Sequence, residues 1–159
     1  MVNSKQTGFT LVELIMVIVM LGILSATALP KFFEKNTFAE RVFFDDTLNA
    51  VRYAQKLAVA TGCEVEVSFT LTEYSLKRPA NKTQCGKLSP PPSFDLDVMH
   101  PSTGGVYEGS EPGIAFESVP PTVIFNALGE SSVSASGNDI KINTRTITIV
   151  KETGFVYAP

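Results

Sequence analysis

From Phe9 to Leu29 the chain holds one ionisable side chain, Glu13, in a run that is otherwise apolar or small. Wound as a helix, such a run reaches about 30 Å, the thickness of a bilayer's hydrocarbon core. A buried core helix this long and this uniformly apolar is out of proportion in a chain of 159 residues, which has room for one compact domain plus an anchor. Residues 9-29 therefore read as a membrane-crossing segment, with 30-159 as the domain that follows it. A cleaved secretory signal is the rival reading, because Ala26-Thr27-Ala28 has the small-x-small form of a signal peptidase site. Under that rival the run is discarded and the mature protein is soluble.

Both cysteines, Cys63 and Cys85, come after the run. Beyond a membrane-crossing segment such a pair reads as one disulfide in an oxidising compartment, with two unrelated buried thiols as the alternative. Lys and Arg total 13 against 16 Asp and Glu, a net charge of -3. That mild acidic balance gives no general attraction to nucleic acid or to anionic lipid.

Ahead of the run, residues 1-8 are short, polar and carry one positive side chain, Lys5. Gly8 is followed directly by Phe9-Thr10-Leu11-Val12-Glu13-Leu14-Ile15, with no polar spacer. This resembles the class III prepilin signal of type IV pilins and type II secretion pseudopilins, and Gly22 and Pro30 fit it as well. The resemblance implies a leader peptide over 1-8 and a dedicated prepilin peptidase that cuts between Gly8 and Phe9. It also implies N-methylation of the new terminus at Phe9.

The physics of Glu13 points the same way. A carboxylate in a membrane helix costs up to ~2.5–3.5 kcal/mol at the bilayer centre, and less near an end. A signal peptide has no need of it. In a filament, a free α-amine at Phe9 of a neighbouring subunit could pair with it in a dry core. Glu13 is thus the candidate assembly residue. The flanking charges argue otherwise, since Lys31, Lys35 and Arg41 closely follow the run and a simple positive-inside count would retain the following domain in the cytoplasm. Large domains translocate largely regardless of such charges, so the prepilin signal and the cysteine pair outweigh the count.

After Pro30 a helical period places Phe43, Thr47, Val51, Ala54, Ala58 and Thr61 on one face, with Asp45, Asp46, Asn49, Arg52, Tyr53 and Lys56 opposite. Gly62 is placed as a C-cap. One helix from near Thr10 to Thr61 is expected, weakest between Gly22 and Pro30. From Cys63 the period becomes two, giving a strand over 65–69 with a hairpin partner around Tyr74 and Leu76. Further strands are expected at Ile114–Phe116, Val123–Phe125, Val133–Ala135, Ile140–Ile142, Thr146–Val150 and Phe155–Tyr157. Lys77 to Pro112, rich in Pro, Gly and Ser, reads as an irregular insertion pinned by Cys85.

The expected fold is α+β: a long N-terminal helix, half transmembrane and half amphipathic, packed on an antiparallel sheet. This plan resembles the pilin family, in particular minor subunits of the GspH/FimT type, through Phe43-Phe44-Asp45-Asp46, Ala50-Val51-Arg52-Tyr53-Ala54-Gln55 and Ile147-Thr148-Ile149. Leu57-Ala58-Val59-Ala60-Thr61-Gly62-Cys63 looks most like a minor pilin of the mannose-sensitive haemagglutinin (MSHA) pilus. The resemblance implies other pilin or pseudopilin subunits, the prepilin peptidase and an inner-membrane assembly platform as partners. It also implies a single-pass inner-membrane protein with a periplasmic C-terminal domain, later incorporated in a filament.

Catalytic chemistry has little to stand on. His100 is the single histidine, and as a base for Cys63 or Cys85 it would need a free thiol. No zinc spacing and no phosphate-binding Gly motif occur, and Asp95 and Asp97 read as solvated loop acids rather than calcium ligands. No catalytic residue, metal or cofactor is expected. The sequence reads as a minor pilin-like structural subunit in initiation or assembly of an MSHA-like type IV pilus, with a GspH-type secretion pseudopilin as the alternative. DNA uptake is a weaker one: Arg145 and Lys151 sit beside Asp139 and Glu152, and Lys77, Arg78, Lys82 and Lys87 form only a loose second patch.

Overall fold

The computed structural model of the protein describes residues 9–32, 35–86, 92–133 and 139–159. It divides into two compact units, Met1–Thr37 and Phe38–Pro159. Helix α1, Leu11–Phe32, lies in the first. Helix α2, Lys35–Thr61, belongs almost wholly to the second. The long helix expected from the sequence is thus described as two spans, with residues 33–34 outside the described residues. Pro30 is helical within α1, where it has no N–H to give the preceding turn.

In α2 the buried side chains are Phe43, Phe44, Thr47, Leu48, Ala50, Val51, Ala54 and Ala58. Ala50, Ala54 and Ala58 stand one turn apart in a row and are fully buried, leaving the bulk of the covered face to Phe43, Phe44, Leu48 and Val51. Thr47 is fully buried, and its hydroxyl donates to the Phe43 carbonyl at 2.7 Å, so no polar group is stranded there. The covered face ends at Ala58, so Thr61, expected to point inward, is exposed. Gly62 ends the helix at φ 66° while the Cys63 N–H donates to the Ala58 carbonyl at 3.3 Å, the Schellman arrangement that glycine adopts without strain.

The layer under α2 is a sheet of β1 (Val65–Phe69), β2 (Glu73–Arg78), β3 (Leu96–Asp97), β4 (Glu108–Ser110) and β5 (Val123–Phe125), all antiparallel. Its order is β3-β2-β1-β5, with β4 pairing the other end of the same edge of β2. Val65, Val67, Phe69, Tyr74, Leu76, Val123 and Phe125 turn to the core. A second sheet, β6 (Ile140–Ile142), β7 (Arg145–Ile149) and β8 (Val156–Tyr157), adds Ile140, Ile142, Ile147, Ile149 and Val156 to that cluster. Polar side chains of α2 hold β8 and two turns: Arg52 Nε donates to the Val156 carbonyl at 3.1 Å, and Gln55 Nε2 donates to the Thr153 and Gly129 carbonyls at 2.8 and 3.3 Å.

The α+β plan is therefore as expected, with differences in detail. Ile114–Phe116 is not a strand: Phe116 N–H donates to the Leu71 carbonyl and Glu117 N–H to that of Lys141, so the segment crosses between elements instead of pairing along one. Val133 is buried outside any strand, and 134–135 lie outside the described residues. The insertion is more ordered than its composition implies, since β2 runs on to Arg78 and β3 and β4 both lie within it. Those two strands are short and mostly exposed, so no period-two apolar signal marks them. Replacing Ala54 with Leu should force α2 off the sheet, lowering the stability of the full chain by about 1–3 kcal/mol in urea titration in neutral detergent.

Candidate functional site

Three features singled out in the sequence meet the structure here: the α1 N-terminus, the cysteine pair and the scattered charged groups. At the start of α1, Thr10 and Glu13 bond to one another. The Glu13 N–H donates to Thr10 Oγ1 at 3.3 Å, while Thr10 N–H and Oγ1 donate to Glu13 Oε2 at 3.5 and 3.3 Å. Thr10-Leu11-Val12-Glu13 is a capping box, in which the first and fourth residues satisfy two of the helix's orphan donors reciprocally. The T-x-x-E spacing ahead of an apolar run carries this signal, but the reading of Glu13 as an assembly residue passed over it. The two bonds use one carboxylate oxygen, Oε2, leaving Oε1 without a partner among the described residues.

Beyond the cap, each large apolar side chain of α1 from Leu11 to Leu24 is at least 44% exposed, on every face of the helix. Ser25 donates its hydroxyl to the Leu21 carbonyl at 2.7 Å, the usual way a serine is accommodated in an apolar helix. A helix apolar all round must be covered by lipid or protein to be stable in water. Among the described residues no helix is long and apolar enough to cross a membrane; the side chains described in α1 end at Ser25, short of Leu29. Gly8 lies outside the described residues, and Phe9, at 75% exposure, stands free at the helix entrance.

Cys63 and Cys85 are bonded, with Cα atoms 4.7 Å apart across a sequence separation of 22. The bond ties the short helical turn Lys82–Gln84 to the start of β1, and the Glu64 carboxylate reinforces it by accepting the Gly86 N–H at 2.8 and 3.0 Å. Cys63, Glu64 and Cys85 place their ligand atoms within 4.8 Å of one another. With both sulfurs in a disulfide neither is a thiolate, so the trio offers a metal one carboxylate. His100 has no thiol to activate for the same reason. Its Nδ1 instead accepts from the Ser102 and Thr103 N–H groups, both at 3.3 Å.

The other charged groups do not converge. Asp95 and Asp97 are exposed, and Asp97 faces Lys77 across the β2–β3 pair. Lys77 also faces Glu66 across β1, so this arm of the basic patch is flanked by acids on both sides. Burial pushes the Glu66 carboxyl up, more than Lys77 pulls it down. Arg145 lies over the Phe44 ring at 5.4 Å, and Lys87 lies outside the described residues.

The prokaryotic N-terminal methylation motif matches residues 3–29. The chain is 36% identical over 92 residues to the type IV major pilin protein PilE1 of Neisseria gonorrhoeae, covering 56% of this chain and 46% of that protein. It is 47% identical over 54 residues to the type IV narrow pilus major component PilA5 of Thermus thermophilus, covering 34% of this chain and 47% of that protein. The matched stretches span just under half the length of these relatives. No solved structure matches.

Two outcomes follow from this geometry. Thr10→Ala should remove the cap and lower the helicity of the first turn, at a cost of about 1 kcal/mol, read by amide hydrogen exchange in detergent. Replacing both Cys63 and Cys85 with Ser should lower stability by about 2–4 kcal/mol in thermal melts of the full chain.

Proposed function

We infer, for a chain that is type IV pilin-like in its N-terminal motif and in its relatives, a role as a minor pilin that helps initiate or assemble a type IV pilus of the MSHA kind. The observation that carries the reading is the pairing of the methylation motif with an apolar helix exposed on every face. Before assembly, residues 9–29 anchor the protein in the inner membrane with the C-terminal domain in the periplasm. Prepilin peptidase removes residues 1–8 and methylates Phe9. The released helix then exchanges lipid for the helices of neighbouring subunits, so its apolar surface stays covered throughout. The minor-subunit role and the MSHA kinship rest on the resemblance of the α2 and closing-strand segments, whereas the relatives named above are major components.

Assembly needs register, which contacts among Leu, Ile and Val alone leave loose. Glu13 supplies it. Its Oε2 is held by Thr10, and its Oε1 can accept from the amine of Phe9 in a neighbouring subunit displaced along the filament axis. An unmatched carboxylate in hydrocarbon is strongly disfavoured, so the charge match favours the docked neighbour.

The processing step is read by intact mass of the membrane fraction, where the mature chain should begin at methylated Phe9. A mature form beginning at Leu29 would mean ordinary signal cleavage and would sink the filament reading. Assembly is read by the fraction of tagged protein recovered with sheared filaments. Glu13→Gln keeps the capping box but removes the charge, and should be cleaved and inserted normally yet depleted from filaments. Thr10→Ala keeps the charge and should be incorporated better than Glu13→Gln. Equal incorporation of Glu13→Gln and wild type would show that the carboxylate does not guide docking.

A further inference from the structure

Between β3 and β4 the chain turns back through His100-Pro101-Ser102-Thr103-Gly104-Gly105. Backbone bonds close the base of this turn. Met99 bridges Val106, the His100 N–H donates to the Gly105 carbonyl at 2.7 Å, and the Gly104 N–H donates to the His100 carbonyl at 2.9 Å. Pro101 has no N–H, so three backbone donors remain, those of Ser102, Thr103 and Gly105. Gly105 donates to Thr103 Oγ1 at 3.4 Å. Ser102 and Thr103 both donate to His100 Nδ1, each at 3.3 Å, and Ser102 Oγ lies 3.0 Å from the same atom. One ring nitrogen thus closes the tip.

That nitrogen can do so only while it is unprotonated. A backbone N–H donates and cannot accept, so with two of them on Nδ1 the ring carries its proton on Nε2. A second proton sits on Nδ1 and sets donor against donor. Ser102 Oγ can turn to accept it, but the two N–H groups cannot. The groups around the ring do not reverse that sense. His100 makes a T-shaped contact with Tyr107, centroids 4.5 Å apart, and Tyr107 packs in turn on Tyr53 of α2 at 5.1 Å. The ring also lines a cleft of about 710 Å³ together with Asp46, Glu73, Glu108 and Glu111. None of these carboxylates is within ion-pair reach of it among the described residues, where Arg41 with Asp45 is the salt bridge present. They attract an imidazolium across solvent whether the turn is open or closed. The two N–H groups oppose it at contact, and only in the closed turn.

We propose that the turn from His100 to Gly105 is an acid-released latch, closed by the neutral imidazole and opened when Nδ1 takes up a proton. Opening frees the Ser102 and Thr103 N–H groups to water. The stem behind the turn stays paired, because Val98 N–H donates to the Leu76 carbonyl, Leu76 N–H to that of Tyr107, and Tyr107 N–H to that of Val98. None of those bonds involves a group that titrates. The tip of the hairpin therefore changes shape with the pH of its surroundings while the domain that carries it does not. The latch lies wholly in the second unit and does not depend on the filament reading, so either can fail alone.

The test uses the full chain, isotopically labelled, in neutral detergent, followed by NMR from about pH 8 to about pH 5, the span in which histidine changes charge. The chain has a single histidine, so its ring signals need no further assignment. At the upper end the ring should carry its proton on Nε2 alone. As both nitrogens become protonated, the Ser102 and Thr103 amide signals should move with the same midpoint. Their exchange with water, corrected for its intrinsic pH dependence, should quicken at least about fivefold, while the Val98 and Tyr107 amides keep their protection. His100→Asn places a carbonyl oxygen that does not titrate where Nδ1 stands, and should keep both amides protected at either end. His100→Ala should leave them unprotected at both. A ring protonated on Nδ1 at the upper end, Ser102 and Thr103 amides indifferent to pH, or His100→Asn showing the wild-type response would each overturn the proposal.

Discussion

The packing of α2 side chains on the sheet is the contact on which the globular unit depends. Ala50, Ala54 and Ala58 form its spine, and Val51, Phe43, Phe44 and Leu48 fill the spaces beside it. Opposite them stand Val65, Val67, Leu76, Val123 and Phe125, all nearly inaccessible. The alanines are fully buried but small, so the bulk of the interface comes from the large residues beside them. Even the second sheet joins this cluster, through five β-branched side chains on β6, β7 and β8. Arg52 and Gln55, on the flank of the same helix, then donate to the carbonyls of Val156 in β8 and of Gly129 and Thr153 in the turns.

The N-terminal unit follows a different logic. Its helix is closed at the start by the reciprocal Thr10–Glu13 bonds and has no apolar layer of its own against which to bury Phe9 to Leu24. Such a helix is stable only where lipid or other protein covers it, which is the physical content of the filament proposal. Under the proposed function one glutamate, observed as the cap, is also the charge by which a neighbour would be registered. The cap uses only Oε2 of the carboxylate.

Between helix and insertion the disulfide acts as a local clasp. A segment rich in Pro, Gly and Ser cannot bury enough apolar surface to order itself. Cys85 and the Glu64–Gly86 bonds fix one end of it beside β1, and β3 and β4 pair with β2. The cleft at β4 is a product of that arrangement, because Glu108 and Glu111 line it together with Asp46 and Glu73 only once the insertion is folded back.

Periodicity alone determined α2, the β1–β2 hairpin and the strands at Val123, Ile140 and Val156, because each alternates buried and exposed positions at its own period, whereas α1 was legible from its uniform apolarity and was expected to be continuous with α2. The position of two cysteines beyond an apolar run was enough for their pairing. The T-x-x-E cap was legible too, but a charge in an apolar run drew attention to the membrane rather than to the helix end. Ile114 and Phe116 alternate as a strand does, yet their backbone groups pair elsewhere, and no local pattern distinguishes the two cases. What only the tertiary structure decided is which exposed, patternless residues pair: β3, β4 and the cleft of Asp46, Glu73, Glu108 and Glu111 come from segments far apart in the chain. Their strands hold no apolar alternation, so their place is set by backbone bonds to β2, and those depend on a partner strand that local sequence does not specify.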